Sequence, residues 1–334
     1  MQFLSIEHVS KTFDGVVALN DVSFDINQGE VHGLVGENGC GKSTLMKIIA
    51  GVLEYDRGIL TIHGQQIDKY NAIEAAQHGI GIIYQDLSLF PNLTVLENIY
   101  ISQMLNDKKP LVFSGRFKHK VQQIIQQLGI TLDLEAMVEE LPIAKQQLVA
   151  IARALINDSR LIILDEPTTA LTRTEINSLF TLLYRLREQG ISFIFISHKL
   201  NELLEICDRI TVMRDGKLID TVPVNNLTSS QIENMMLGYE LAFSAHESHA
   251  SDKVLLSVRN LSKHNSFKDI SFDLHQGEVL GIAGLLGAGR TELAMALFGV
   301  EPAQSGDIQT EWPPYSHQKY SGCGEKRYRL CPRR

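Results

Sequence analysis

Eight consecutive residues, Gly36-Glu37-Asn38-Gly39-Cys40-Gly41-Lys42-Ser43, fit the pattern G-x-x-x-x-G-K-[ST], and Thr44 follows them. Glycines at this spacing let successive backbone N–H groups converge on phosphate oxygens, and a helix opening behind the loop turns its positive end to the same anion. Lys42 would reach the β and γ phosphates of a bound ATP, and Ser43 would ligate Mg²⁺. A second chemically able group closes the run Leu161-Ile162-Ile163-Leu164-Asp165-Glu166-Pro167, where an apolar stretch ends in two carboxylates. At the carboxyl edge of a sheet, Asp165 would hold the Mg²⁺ shell, and Glu166 would polarise the water that attacks the γ phosphate.

Residues of this kind need a scaffold, and the sequence describes one. The apolar run Val31 to Val35 precedes the glycine loop and the helical stretch LMKIIAG follows it, so strand, loop and helix come in the order that phosphate binding requires. LIILD from Leu161 and ISFIFISH from Ile191 are short apolar runs alternating with helical patterns, as a buried parallel sheet demands. In KHKVQQIIQQLGI, Val121, Ile124, Ile125 and Leu128 fall at helical spacing and predict a helical subdomain. The fold class is α/β, a P-loop NTPase domain.

The opening is written twice. VSFDINQGEVHGLVGENGCGKSTLMKIIAG, from Val22, aligns without gaps on ISFDLHQGEVLGIAGLLGAGRTELAMALFG, from Ile270, at an offset of 248. Each copy reads as apolar strand, turn, apolar strand, glycine loop and helix. Polar, aperiodic text separates them, which predicts a first domain over 1–240, a linker over 241–253 and the N-terminal part of a second domain over 254–310.

GENGCGKST, the glutamine of IIYQD, LDEPTTAL and ISHKL, in that order, resemble an ABC ATPase over about Phe3 to Gly306. That resemblance implies that Gln85 senses the metal and the γ phosphate, that His198 is the switch histidine on the γ phosphate, and that Phe13 stacks on adenine. EPTTALT, with Thr172 where most members carry aspartate, ISHKLNEL, VMRDGK and the tandem domains resemble the ATP-binding subunits of ribose- and galactose-type sugar importers. The resemblance implies a peripheral subunit on the cytoplasmic face of the inner membrane, beneath permease subunits fed by a periplasmic binding protein. A sugar-like signalling molecule such as autoinducer-2 is the alternative cargo.

Three departures bear on activity. Where the family's signature loop reads LSGGQ, this chain has Leu141-Pro142-Ile143-Ala144-Lys145-Gln146-Gln147, without the serine and both glycines whose amides would serve a neighbour's ATP. A homodimer would therefore be a weak partner pair, and ATP binding with slow hydrolysis is the alternative to full turnover. The second loop, Gly284 to Thr291, keeps Gly289 but carries Arg290 in place of lysine, which predicts a degenerate site formed by Gly284, Gly289, Arg290 and Thr291. The tail 311–334 loses periodicity and is expected to be out of frame. Codons exist for Gly322 to Arg334 that, read one base later, give DAVKSGIGYVPED, similar to the family's GI-x-YVPEDR.

Composition narrows the alternatives. A net charge of -8 offers no basic field for nucleic acid, so a soluble ABC protein of ribosomes or DNA is the weaker reading. Apolar runs fall short of a bilayer span, and the first ten residues lack a signal peptide's charged start. The four cysteines have neither metal-ligand spacing nor histidine partners, so reduced thiols are expected.

Overall fold

The computed structural model describes residues 1–68, 70–107, 115–225, 227–238, 250–284 and 287–310, without the side chains of 102–107, 115–117 and 127. The chain divides into two compact units, Met1–Leu241 and Ala242–Arg334. Most of the expected linker and the whole expected out-of-frame tail lie outside the described residues.

The first unit runs β1 (Gln2–Phe13), β2 (Val16–Asn27), β3 (Val31–Gly36), α1 (Lys42–Ile49), β4 (Arg57–Ile62), β5 (Gln65–Ile67), α2 (Ala72–Gln77), β6 (Ile80–Ile83), α3 (Val95–Asp107), α4 (Gly115–Leu128) and α5 (Ile143–Ile156). It continues with β7 (Leu161–Asp165), α6 (Arg173–Glu188), β8 (Ser192–Ile196), α7 (Leu200–Ile206), β9 (Arg209–Arg214), β10 (Lys217–Pro223) and α8 (Ser229–Leu237). A six-stranded sheet in the order β10-β9-β3-β8-β7-β6 forms its centre, and a four-stranded sheet in the order β2-β1-β4-β5 lies in the same unit. In the larger sheet β9, β3, β8, β7 and β6 are mutually parallel, and only β10 runs against its neighbour.

Strands buried on both faces can be apolar at every position, because alternate side chains serve two cores. In β7, Leu161 and Ile163 join the core shared with α1 and the four-stranded sheet, whereas Ile162 and Leu164 join the core beneath α5 and α6. In β8, Ile194 and Ile196 face the first core, and Phe193 and Phe195 the second. The helical subdomain comprises α3, α4 and α5, and α4 seats Val121, Ile124 and Leu128 in the second core at the predicted spacing.

The second unit contains β11 (Val254–Lys263), β12 (Phe267–His275), α9 (Arg290–Phe298) and β13 (Ser305–Thr310), with a three-stranded sheet in the order β12-β11-β13. The repeat persists at atomic detail. His8 and Asn260 both have positive φ, 54° and 50°, and each donates its backbone N–H to a serine hydroxyl at 2.8 Å, Ser23 and Ser271 respectively. Gly41 (φ 103°) and Gly289 (φ 77°) each cap the helix that follows, and a Cβ on either would strike a backbone carbonyl, that of Ala18 or of Ser266.

One expected element is absent. Residues 279–284 repeat the apolar run that forms β3, yet they are not a strand, and Val279 is 80% exposed where Val31 is 0% exposed. β3 exists because β8 and β9 hydrogen-bond to both its edges. Among the described residues no strand pairs with 279–284, and Val279, Leu280 and Ile282 are exposed rather than packed in a core.

Candidate functional site

Parallel register carries the candidate residues to one edge of the six-stranded sheet. Leu34 of β3 is level with Ile196 of β8, Asp165 of β7 with the same Ile196, and Ile83 of β6 with Leu164. The residues that follow these positions therefore leave the sheet side by side: the loop from Gly36, the pair Ser197-His198, Glu166, and Tyr84-Gln85. This is the carboxyl edge, where α/β sheets bind their ligands.

Gly36 closes β3 with no room for a side chain, since a Cβ would fall on the Met213 carbonyl and the Cys40 thiol. Glu37, Asn38 and Gly39 are exposed, Cys40 is buried beneath them, and Gly41 caps α1, whose first turn is Lys42, Ser43 and Thr44. The Lys42 ammonium folds back over the loop and donates to the carbonyls of Gly36 at 2.7 Å and Glu37 at 2.8 Å. Those acceptors are neutral, so an anionic phosphate brought to the α1 N-terminus would be a stronger partner for the same charge.

Asp165 ends β7, and its carboxyl is pushed above the ordinary carboxylate range by burial and by the neighbouring Glu166, with Lys42 pulling the other way. Lys42 and Asp165 thus feel each other across the edge. Glu166 sits at φ 49°, a left-handed conformation that a non-glycine residue adopts at a cost of order 1 kcal/mol or more. Two bonds hold it there: its N–H donates to the Ile196 carbonyl at 3.0 Å, and its Oε1 lies 3.0 Å from His198 Nδ1. The Thr169 hydroxyl lies 3.1 Å from Glu166 Oε2, so the carboxylate is oriented from both sides.

Sequence reasoning missed two members of this cluster. Thr169 was hidden in the turn after Glu166, although its spacing of three residues was the available signal. Tyr84, beside Gln85, has its hydroxyl held up by burial and by the charges of Asp165 and Asp86, which puts it near the acidic pair. Gln85 itself is exposed at the end of β6. Phe13 is 41% exposed at the end of β1, and its ring contact is with the Lys11 ammonium, 5.4 Å from the ring centroid.

The signature position is the start of α5. Pro142 is its N-cap and offers neither an amide hydrogen nor a side-chain hydrogen bond. The Pro142 carbonyl accepts from Lys145 and Gln146, which leaves the amides of Ile143 and Ala144 as the free donors of that helix end. In the second unit, Gly289 and Arg290 open α9 as Gly41 and Lys42 open α1, with Thr291 next and Gly284 exposed before them. No strand ending in an acidic pair accompanies them among the described residues.

A protein-family model for the ABC transporter matches residues 19–169 and 267–327. A protein of Ralstonia nicotianae, named for ribose/galactose/methyl galactoside import as its ATP-binding protein, is 45% identical over 310 residues, which is 92% of this chain and 60% of the relative. The ribose import ATP-binding protein RbsA of Bacillus licheniformis is 40% identical over 97% of this chain and 66% of its own length. This chain therefore spans about 60% of the length of the curated relatives it matches. Among solved structures, the ADP conformation of an ATP-binding cassette of an ABC transporter superimposes with a TM-score of 0.65 at 28% identity, covering 71% of this chain and 99% of that one.

Proposed function

The chain belongs to the ABC transporter family, and from that membership we propose that it is the ATP-binding and ATP-hydrolysing subunit that energises import of a sugar or sugar-like molecule. The relatives' names supply the cargo class, and a membrane permease, with a periplasmic binding protein behind it, would supply the path. On this reading the subunit is peripheral, on the cytoplasmic face of the membrane, and no described helix is long and apolar enough to cross one. Residues 1–240 are the working cassette, and 254–310 repeat its opening elements around a degenerate loop.

The observation that carries the reading is the convergence of Lys42, Asp165 and the Glu166–His198 pair at one sheet edge. ATP phosphates would lie on the amides of Gly36 to Thr44, with Lys42 released from the loop carbonyls to meet them. Phe13, partly exposed beside Lys11, would receive adenine. Ser43, Asp165 and Gln85 would hold Mg²⁺, which when bound supplies positive charge against the phosphates. The site suits a cation, because Asp165 and Glu166 are close enough to raise a carboxyl's proton affinity, and a divalent charge relieves that repulsion. Glu166, aimed by Thr169 and His198, would take the proton of the attacking water, and the His198 ring would report the γ phosphate.

Titration calorimetry with Mg-ATP tests the proposal. Replacing Lys42 by Ala removes a charged donor, so affinity should fall roughly ten- to hundredfold. An unchanged affinity would remove the nucleotide site from Gly36–Thr44.

A second reading, ATP binding with slow turnover by this chain alone, is favoured by one observation: α5 begins with Pro142, Ile143 and Ala144 rather than with serine and glycine amides. Steady vanadate-sensitive phosphate release by the purified chain would argue against it.

A further inference from the structure

Beside the nucleotide edge, α7 and α8 border a shallow, solvent-open cleft of about 390 Å³ that neither the phosphate loop nor the acidic pair lines. Its walls are chemically divided. Ser229 and Glu233 project from one face of α8 at a spacing of four residues, and Met236 lies on the same face three residues further on. From the other side come Asn201 and Leu200 of α7, and His198 closes the end.

The hydrogen-bonding capacity left over in these walls specifies a class of ligand. The Ser229 hydroxyl donates to Asn201 Oδ1 at 3.0 Å, which fixes the amide and leaves its Nδ2 as a donor. Glu233, half-buried on α8, offers a carboxylate that only accepts. A donor beside an acceptor suits a hydroxyl, which needs both, and a vicinal diol can give a proton to the carboxylate while taking one from the amide. The carboxylate disfavours phosphates and other anions. Leu200 and Met236 add an apolar surface of the kind that receives the C–H face of a sugar ring, and the volume falls within the range of small-molecule sites.

We propose that this cleft binds a neutral, polyhydroxylated ligand of monosaccharide size and that its occupancy weakens Mg-ATP binding through His198. The coupling rests on the nucleotide reading above. His198 belongs to both sites, because it lines the cleft and its Nδ1 holds Glu166 Oε1 at 3.0 Å. A hydroxyl bound to the imidazole competes with the γ phosphate for the same ring, and linkage requires ATP to weaken the sugar by the same factor. In an importer this is feedback: accumulated cargo slows the motor that brings it in.

The test uses the full chain labelled with ¹³C-methyl methionine, with Met236→Leu assigning the Met236 resonance. D-ribose is the probe, and tetrahydrofurfuryl alcohol, which has the ring and one hydroxyl but no vicinal diol, is the control. The expected result is a saturable Met236 shift with ribose, none with the control, and roughly tenfold or greater weakening in Glu233→Gln, which folds as the wild type because Glu233 is engaged in no described hydrogen bond. Saturating ribose should raise the calorimetric Kd of Mg-ATP several-fold. Silence with ribose, an equal response to the control, or a Glu233→Gln titration identical to the wild type would overturn the site. An unchanged Mg-ATP affinity in saturating ribose would overturn the coupling. If no Mg-ATP binds at all while the ribose shift and its Glu233 dependence persist, the nucleotide reading has failed and the sugar site has not.

Discussion

Glu30 shows how a single buried carboxylate can be both costly and stabilising. Burial pushes its pKa up, but hydrogen bonds from His32 and Arg209, with the charge of His32 and the Asn27 amide, overcome this and bring it down to about 2 from an ordinary 4.5. Because the folded value is the lower one, the stabilisation is present above pH 4.5 and is lost as pH falls toward 2, amounting to roughly 3 kcal/mol. Glu30→Gln should therefore flatten the loss of urea stability between pH 5 and about pH 2.5 relative to the wild type; parallel profiles would show that Glu30 does not titrate in this window. The reverse situation holds at Gln147, which is buried and whose Nε2 has no partner among the described residues. Gln147→Met should remove that penalty, about 1 kcal/mol or more, and raise the melting temperature by about 2–4 °C in calorimetry. The Arg209 bond to Glu30 was not legible in the sequence, because a partner 179 positions away leaves no local trace. The shape of the loop Gly36–Ser43 was legible for the opposite reason: it is set by contiguous residues and by glycines whose need is steric, as a Cβ at Gly36 or Gly41 would strike a backbone carbonyl.

At the scale of elements, Thr172 is instructive. In the sequence it was only a departure from aspartate; in the structure it is the N-cap of α6, with its N–H donating to Glu175 Oε2 at 2.8 Å in a reciprocal capping box. Aspartate and threonine are both good caps, so the substitution keeps the helix start. Thr172→Ala should cost about 1 kcal/mol and lower the melting temperature, while Thr172→Asp should not; equal losses in both would mean that the hydroxyl acts elsewhere than in the cap. Elements with local signals were readable in this way, including the apolar strands, the loop-to-helix unit and α4. The run 279–284 was misread because apolar content predicts a strand only where neighbours exist to pair with it, and pairing is a property of the sheet rather than of the segment. Its exposed Val279 and Ile282 carry the same pattern as buried Val31 and Leu34.

For the whole molecule, the proposed site of the first unit joins the loop Gly36–Thr44, Asp165, Glu166 and His198, but the unit would offer a second copy of itself only a proline-headed helix. Two such units facing each other would present Ile143 and Ala144 amides to each other's γ phosphate, with Cβ atoms on both residues and no serine hydroxyl at the cap. The barrier to turnover should then lie in that missing donor set, since one well-placed donor to developing charge is worth roughly a hundredfold in rate or more. Rebuilding it as Pro142→Ser, Ile143→Gly and Ala144→Gly together costs helix stability, of order 0.5–1 kcal/mol for each glycine, and returns a capping hydroxyl and unobstructed amides. The rebuilt chain should form an Mg-ATP-dependent dimer by light scattering, stabilised further by Glu166→Gln, and release phosphate at least tenfold faster when Glu166 is intact. Faster release without dimerisation would place the limit inside one cassette instead. Dimerisation without faster release would place it at Glu166 and His198, whose 3.0 Å contact would then be a resting arrangement that closure has to break.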